Sequence, residues 1–208
     1  MAHDFKNSNE ILKHFHLEFQ FEKFINFDST HSVGPDEKFK AELDFSLMNR
    51  GEDDKEAFAC EFLIVPFLKE TWMRHPKVSL FSHVTIKVDD FNLVPDYLVA
   101  TKPSTGIKSL DKPLLLTTEA KNEKFDEGWF QALQQLIACQ KINKTDKITI
   151  YAIVTTGDIW QFGKLEKHLF SRHPVSVSLD NTGKLLGILD FLFSECEKNM
   201  EIAVRSEK

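Results

Sequence analysis

Apolar positions fall into blocks of different period, and the period names the element. Phe58, Phe62, Val65, Leu68 and Trp72 recur at spacings of three and four, which predicts a helix over residues 53–74 with one buried face. Asp53 and Asp54 suit its first turn, where the helix dipole favours negative charge. Pro66 lies inside the pattern and predicts a kink or a break. The period then shortens. Residues 80–88 alternate with β-branched side chains, and residues 93–101 and 113–120 are short apolar runs between turn residues, so all three read as strands. Residues 128–142 return to helical spacing, with Leu133, Leu136 and Ile137 on the core face. Residues 148–154 read as a buried strand, residues 159–162 as a further strand after the Gly157-Asp158 turn, and residues 184–200 as a last helix.

The amino-terminal quarter is less regular. Over residues 9–26 the first part fits a helix, whereas Leu17, Phe19 and Phe21 alternate like a strand. Residues 27–54 hold Gly34-Pro35-Asp36, Asn49-Arg50-Gly51 and many charges, which reads as turns around a short element. The order helix, three strands, helix, two strands, helix predicts an α/β (α+β) fold, with a mixed central sheet of about five strands flanked by helices.

Composition fits that picture. At 208 residues with 42% hydrophobic side chains and 19 Phe, the chain can bury a core and disorder is excluded for most of it. Its organisation reads as an N-terminal extension (1–52) packed on a core (53–166), with a C-terminal loop and helix (167–208) completing the same domain. Cys60, Cys139 and Cys196 lie far apart without CxxC or metal spacing, the pattern of reduced, buried thiols in a cytoplasmic protein. No apolar run approaches the roughly 20 residues that span a bilayer, so no membrane partner is expected. The net charge of −6 argues against a generally basic nucleic-acid coat, but not against a local basic channel.

Acidic residues at strand ends are the chemical signal. Asp96 interrupts the apolar run Leu93-Val94-Pro95-Asp96-Tyr97-Leu98-Val99. Glu119 and Lys121 end the next strand and project to one face, roughly 6.5 Å apart along it. If the two strands are neighbours, Asp96 sits beside Glu119, and two adjoining carboxylates repel unless a cation joins them. A hard divalent cation such as Mg²⁺ suits such oxygen ligands. The tripeptide alone means little, because an acid two residues before a lysine also occurs at Asp4, Asp36 and Asp53. The plain alternative is a surface salt bridge of Glu119 with Lys121 at a strand terminus.

Together these residues resemble the PD-(D/E)xK nuclease superfamily. Pro95-Asp96 followed by Glu119-Ala120-Lys121 matches its name motif. Glu119-Ala120-Lys121-Asn122, Gly128-Trp129-Phe130-Gln131 and residues 155–162 (TTGDIWQF) resemble prokaryotic restriction-endonuclease-like proteins related to the nuclease part of type I restriction subunits. The likeness covers residues 54–165 and implies a restriction-endonuclease-like core. It implies Asp96, Glu119 and the Ala120 carbonyl as ligands of Mg²⁺ (or Mn²⁺), with Lys121 positioning the attacking water and offsetting charge in the transition state. A further glutamate from the first helix falls on Glu56, by its spacing to Ile64 and Pro66, with Glu61 as the rival. Gln131 and Gln135 become candidates to contact the site or a backbone phosphate; otherwise they form an ordinary polar stripe. The chain departs from the pattern at Cys60 and Cys139, where relatives often carry Arg and Tyr. The implied activity is metal-dependent DNA hydrolysis, with a homodimer or a specificity partner as further expectations. The alternative is a nuclease-fold module with weak or no turnover that binds nucleic acid or protein.

Other features read as structural. The eight His are dispersed, and His14 and His16 suit a surface or half-buried place. Trp160 and Phe162 suit the core, and the loop around Gly106 lacks P-loop spacing. The acidic excess is local: residues 35–61 hold nine acids against four bases, whereas residues 102–147 hold eight lysines against six acids.

Overall fold

The computed structural model describes residues 5–27, 32–51, 56–106 and 109–206. Its first elements are α1 (Ser8–His14), β1 (Glu18–Phe21) and α2 (Glu37–Met48). A continuous helical stretch follows: α3 (Glu56–Phe58), a π-helical segment (Ala59–Ile64) and α4 (Val65–Trp72). Then come β2 (Val78–Ser82), β3 (Ile86–Val88), β4 (Phe91–Leu93), β5 (Tyr97–Thr101), β6 (Asp111–Ala120) and α5 (Phe125–Asn143). The chain ends with β7 (Ile150–Thr155), β8 (Ile159–Glu166), β9 (Leu169–Arg172), β10 (Val177–Ser178) and α6 (Thr182–Ser206).

The architecture is mixed α+β around one eight-stranded mixed sheet. In space the strands run β1-β9-β8-β7-β6-β5-β2, with β10 on β8. β6 and β7 are parallel, as are β1 and β9; the other pairs in this sheet are antiparallel. Alternation along the strands divides the core between two faces. Tyr97 and Val99 pack with Leu63, Phe67, Trp160 and Phe193 on the α4 and α6 side. Leu98 and Ala100 pack with Leu133, Leu136 and Ile150 on the α5 side. Trp160 and Phe162 are fully buried, and so are the thiols of Cys139 and Cys196, with Cys60 nearly so. His14 and His16 are exposed. No helix among the described residues is long and apolar enough to cross a membrane.

The structure departs from the sequence expectations at several places. Residues 27–54 contain a twelve-residue helix rather than a short element between turns. Asp36 caps it, its Oδ1 accepting the Phe39 amide at 2.7 Å. Only Phe39 and Leu43 on α2 are buried, so no apolar stripe announces it. Asp53 and Asp54 lie outside the described residues. At Pro66 the helix does not break but widens: the Val65 amide reaches back to the Cys60 carbonyl, a π-type bond just before the residue that has no donor. The strand expected over 80–88 is divided into β2 and β3, and of the strand expected over 93–101 only residues 97–101 form β5. β3 pairs with β4, which ends at Leu93, in a separate hairpin, leaving β2 and β5 to pair in the main sheet. The sheet is wider than five strands because β1, β9 and β10 join it.

Candidate active site

β5 and β6 are antiparallel neighbours, with Tyr97 opposite Thr118. That register carries Asp96, one residue before β5, to the end of β6 where Glu119 stands. Pro95 brings no amide to a ladder, so the chain turns out of the sheet just ahead of Asp96. The Asp96 Oδ2 accepts the Ala120 amide at 2.8 Å, and its Oδ1 lies 3.5 Å from Nε2 of His83. His83 sits at a positive φ of 50° between β2 and β3, and its own amide donates to the Asp96 carbonyl at 3.0 Å. No signal in the sequence singled out His83, because its pairing needs the β2–β5 register.

Glu119 lies on the α5 face of β6 and is 3% exposed. Gln135 of α5 donates from Nε2 to Glu119 Oε1, and the Lys121 Nζ stands 3.2 Å from Glu119 Oε2. This is a buried cluster, not the surface salt bridge that the strand-end position also allowed. Burial, reinforced by the charge of Asp96, pushes the Glu119 carboxyl up to about 6, against the opposing pull of Gln135 and Lys121.

Gly128 is what lets α5 come this close. A side chain there would overlap Val154 Cγ1 and approach the Lys121 Cγ to 3.1 Å. The π-helical segment braces the opposite face. Its Cys60 carbonyl accepts the Tyr97 hydroxyl at 3.3 Å, tying the helix to the residue after Asp96.

The remaining candidates lie apart. Gln131 is exposed on α5, one turn before buried Gln135. Glu56 is half-buried at the start of α3, where its charge and those of Asp96 and Lys121 all act on the Cys60 thiol, which burial holds above its ordinary range. Glu61 is exposed and lines a groove against α2. Among the described residues, no three His, Cys, Asp or Glu side chains gather as a metal-holding group, so Glu56 does not close on Asp96 and Glu119.

The donors nonetheless suit a hard cation. They are carboxylate oxygens from two strands, and Gln135 Oε1 beside them is buried without a hydrogen-bond partner among the described residues. No family model, curated protein or solved structure matches the chain.

Proposed function

We propose that the chain is a metal-dependent hydrolase of the PD-(D/E)xK nuclease type. More particularly, it is a deoxyribonuclease that uses Mg²⁺ or Mn²⁺. The observation that carries this reading is the convergence of Asp96, Glu119 and Lys121 at adjoining strand ends, with Glu119 buried and its carboxyl raised. A structural role alone does not readily account for a buried carboxylate, Glu119, set beside a second acid, since burying a charge costs several kcal/mol unless it is compensated.

Asp96 and Glu119 would hold the cation, with the Ala120 carbonyl as a third donor. When bound, the cation would polarise the phosphate and stabilise the leaving oxygen. Lys121 supplies a positive charge that orients the attacking water and offsets negative charge as the phosphorus gains its fifth oxygen. Gln135 fixes the Glu119 carboxylate, and the Ala120 amide fixes Asp96, so both acids are set before substrate arrives. Gln131 lies on the same helix where a phosphate could reach it, and of the two helix glutamates Glu56 is the half-buried one.

The test is cleavage of plasmid and linear DNA with Mg²⁺ or Mn²⁺ by the wild type, Glu119→Ala and Lys121→Ala. Loss of at least a hundredfold in each variant is expected. Equal cleavage by all three would refute the site.

One observation favours the second reading, a nuclease-fold module that binds without turnover. Both Glu119 oxygens are already engaged by Gln135 and Lys121. A melting temperature unmoved by millimolar Mg²⁺ or Mn²⁺ would support that reading.

A further inference from the structure

Beside Lys121, at the carboxyl ends of parallel β6 and β7, a pocket of about 590 Å³ opens outward. Arg50, Lys121, Asn122, Glu123, Thr156 and Asp158 are among the residues that line it. Crevices at the carboxyl ends of parallel strands are where ligands settle in α/β sheets.

Arg50 reaches this pocket from the segment after α2, and its Nη1 donates to both carboxylate oxygens of Asp158, at 2.8 and 2.9 Å. Its Nε and Nη2 have no hydrogen-bond partner among the described residues. The Asn122 side chain has none either. The pair is open to water, with 36% and 43% of the two side chains exposed, so it adds little stability and exchanges readily.

Asp158 itself is firmly placed. Its carbonyl accepts the Leu179 amide at 2.7 Å. The preceding Gly157, at φ 86°, packs so closely on the π-helical segment that an added Cβ would lie 3.1 Å from Leu63. The backbone that carries Asp158 is therefore fixed beside the pocket, and its carboxylate is the resting partner of Arg50.

We propose that this pocket binds a backbone phosphate of DNA flanking the cleaved one, and that the phosphate displaces Asp158 as the partner of Arg50. The inference rests on the nuclease reading above and adds to it a substrate subsite with its anchor. A phosphate offers the same paired-oxygen geometry as a carboxylate, and a guanidinium fork matches it. Lys121 on the pocket wall adds a second positive charge between this subsite and the reacting centre. Asp158 keeps Arg50 neutralised until DNA arrives, so release of Asp158 is part of binding.

The test is a double-mutant cycle read by fluorescence anisotropy on a short labelled duplex, without added divalent cation, so that binding is read apart from cleavage. Arg50→Ala is expected to weaken binding about tenfold and to lower the slope of log affinity against log salt by about 0.9, the loss of one phosphate contact. Asp158→Asn is expected to strengthen binding severalfold with Arg50 present and to have no effect in the Arg50→Ala background. Wild-type affinity in Arg50→Ala, weaker binding by Asp158→Asn, or an equal gain in both backgrounds overturns the proposal. In the last case Asp158 acts only through general charge. These outcomes leave the nuclease reading standing if Glu119→Ala still abolishes cleavage. A wild type that neither binds nor cleaves DNA removes that reading and this one with it.

Discussion

Glu119 is the residue at which placement and chemistry conflict most. Its carboxyl is raised from 4.5 to about 6, chiefly by burial and then by Asp96. A carboxyl raised in the fold keeps its proton there longer than in the unfolded chain. This group's contribution to stability is thus greatest below pH 4.5 and declines as pH rises through 4.5 to 6, by about 2 kcal/mol. Glu119→Gln keeps the shape and removes the titration. The variant is expected to match the wild type at pH 4 and to be about 1–2 kcal/mol more stable at pH 7.5, by denaturant unfolding at both values. A less stable variant at pH 7.5 would show that the pair with Lys121 is a net structural contact. At this scale the sequence was informative for Asp96, Glu119 and Lys121, because residue type and strand position go together there, whereas Gln135 of α5 entered only through the family resemblance. It was silent on His83 and Arg50, whose partners are remote in the chain.

Among the elements, α5 positions most of the site. It carries Gln135 to Glu119, and it can do so because Gly128 faces Val154 and the Lys121 stem without a side chain. Gly128→Ala is expected to cost about 1–3 kcal/mol by overpacking and to reduce cleavage more than that loss implies, since Lys121 must move. Gly128→Ala with Val154→Ala is expected to recover part of the stability. Thermal melts of the single and double variants check this, and a double variant no better than the single would place the strain elsewhere. The helix from Glu56 to Trp72 shows why periodicity was a partial guide. Its apolar spacing predicted a helix and Pro66 an irregularity. The form taken, a π-helical segment whose Cys60 carbonyl binds Tyr97, depends on a strand that the local sequence does not contain. The helix α2 escaped the pattern because little of it is buried, so its signal lay in the Asp36 cap.

At the scale of the whole molecule, the proposed cation site ties metal affinity to pH and charge. A cation held by Asp96 and Glu119, as proposed, would require ionised Glu119, so protons would compete with it below pH about 6. The rise in melting temperature produced by millimolar Mg²⁺ is expected to be larger at pH 7.5 than at pH 5, and absent from Glu119→Gln. Equal shifts at both pH values, or a shift retained in that variant, would place the cation elsewhere. The net charge of −6 is concentrated in residues 35–61, which include α2 and the exposed groove that Glu61 lines. DNA binding without cation is therefore expected to be modest and to fall steeply between about 50 and 200 mM salt, by anisotropy titration. A salt-independent affinity would exclude backbone phosphates as the contacts.

The sequence by itself determined the alternation of helical and strand segments through the centre of the chain, the burial of Trp160 and Phe162, and the presence of one strand ended by acid and lysine and another interrupted by an acid. These follow from side-chain period and residue type, which are local. Only the tertiary structure decided that β5 and β6 are neighbours, that β1, β9 and β10 widen the sheet, and that Arg50 meets Asp158 beside Lys121. Those contacts join residues far apart in the chain. They are selected by which faces the whole fold must bury, and no local period records that choice.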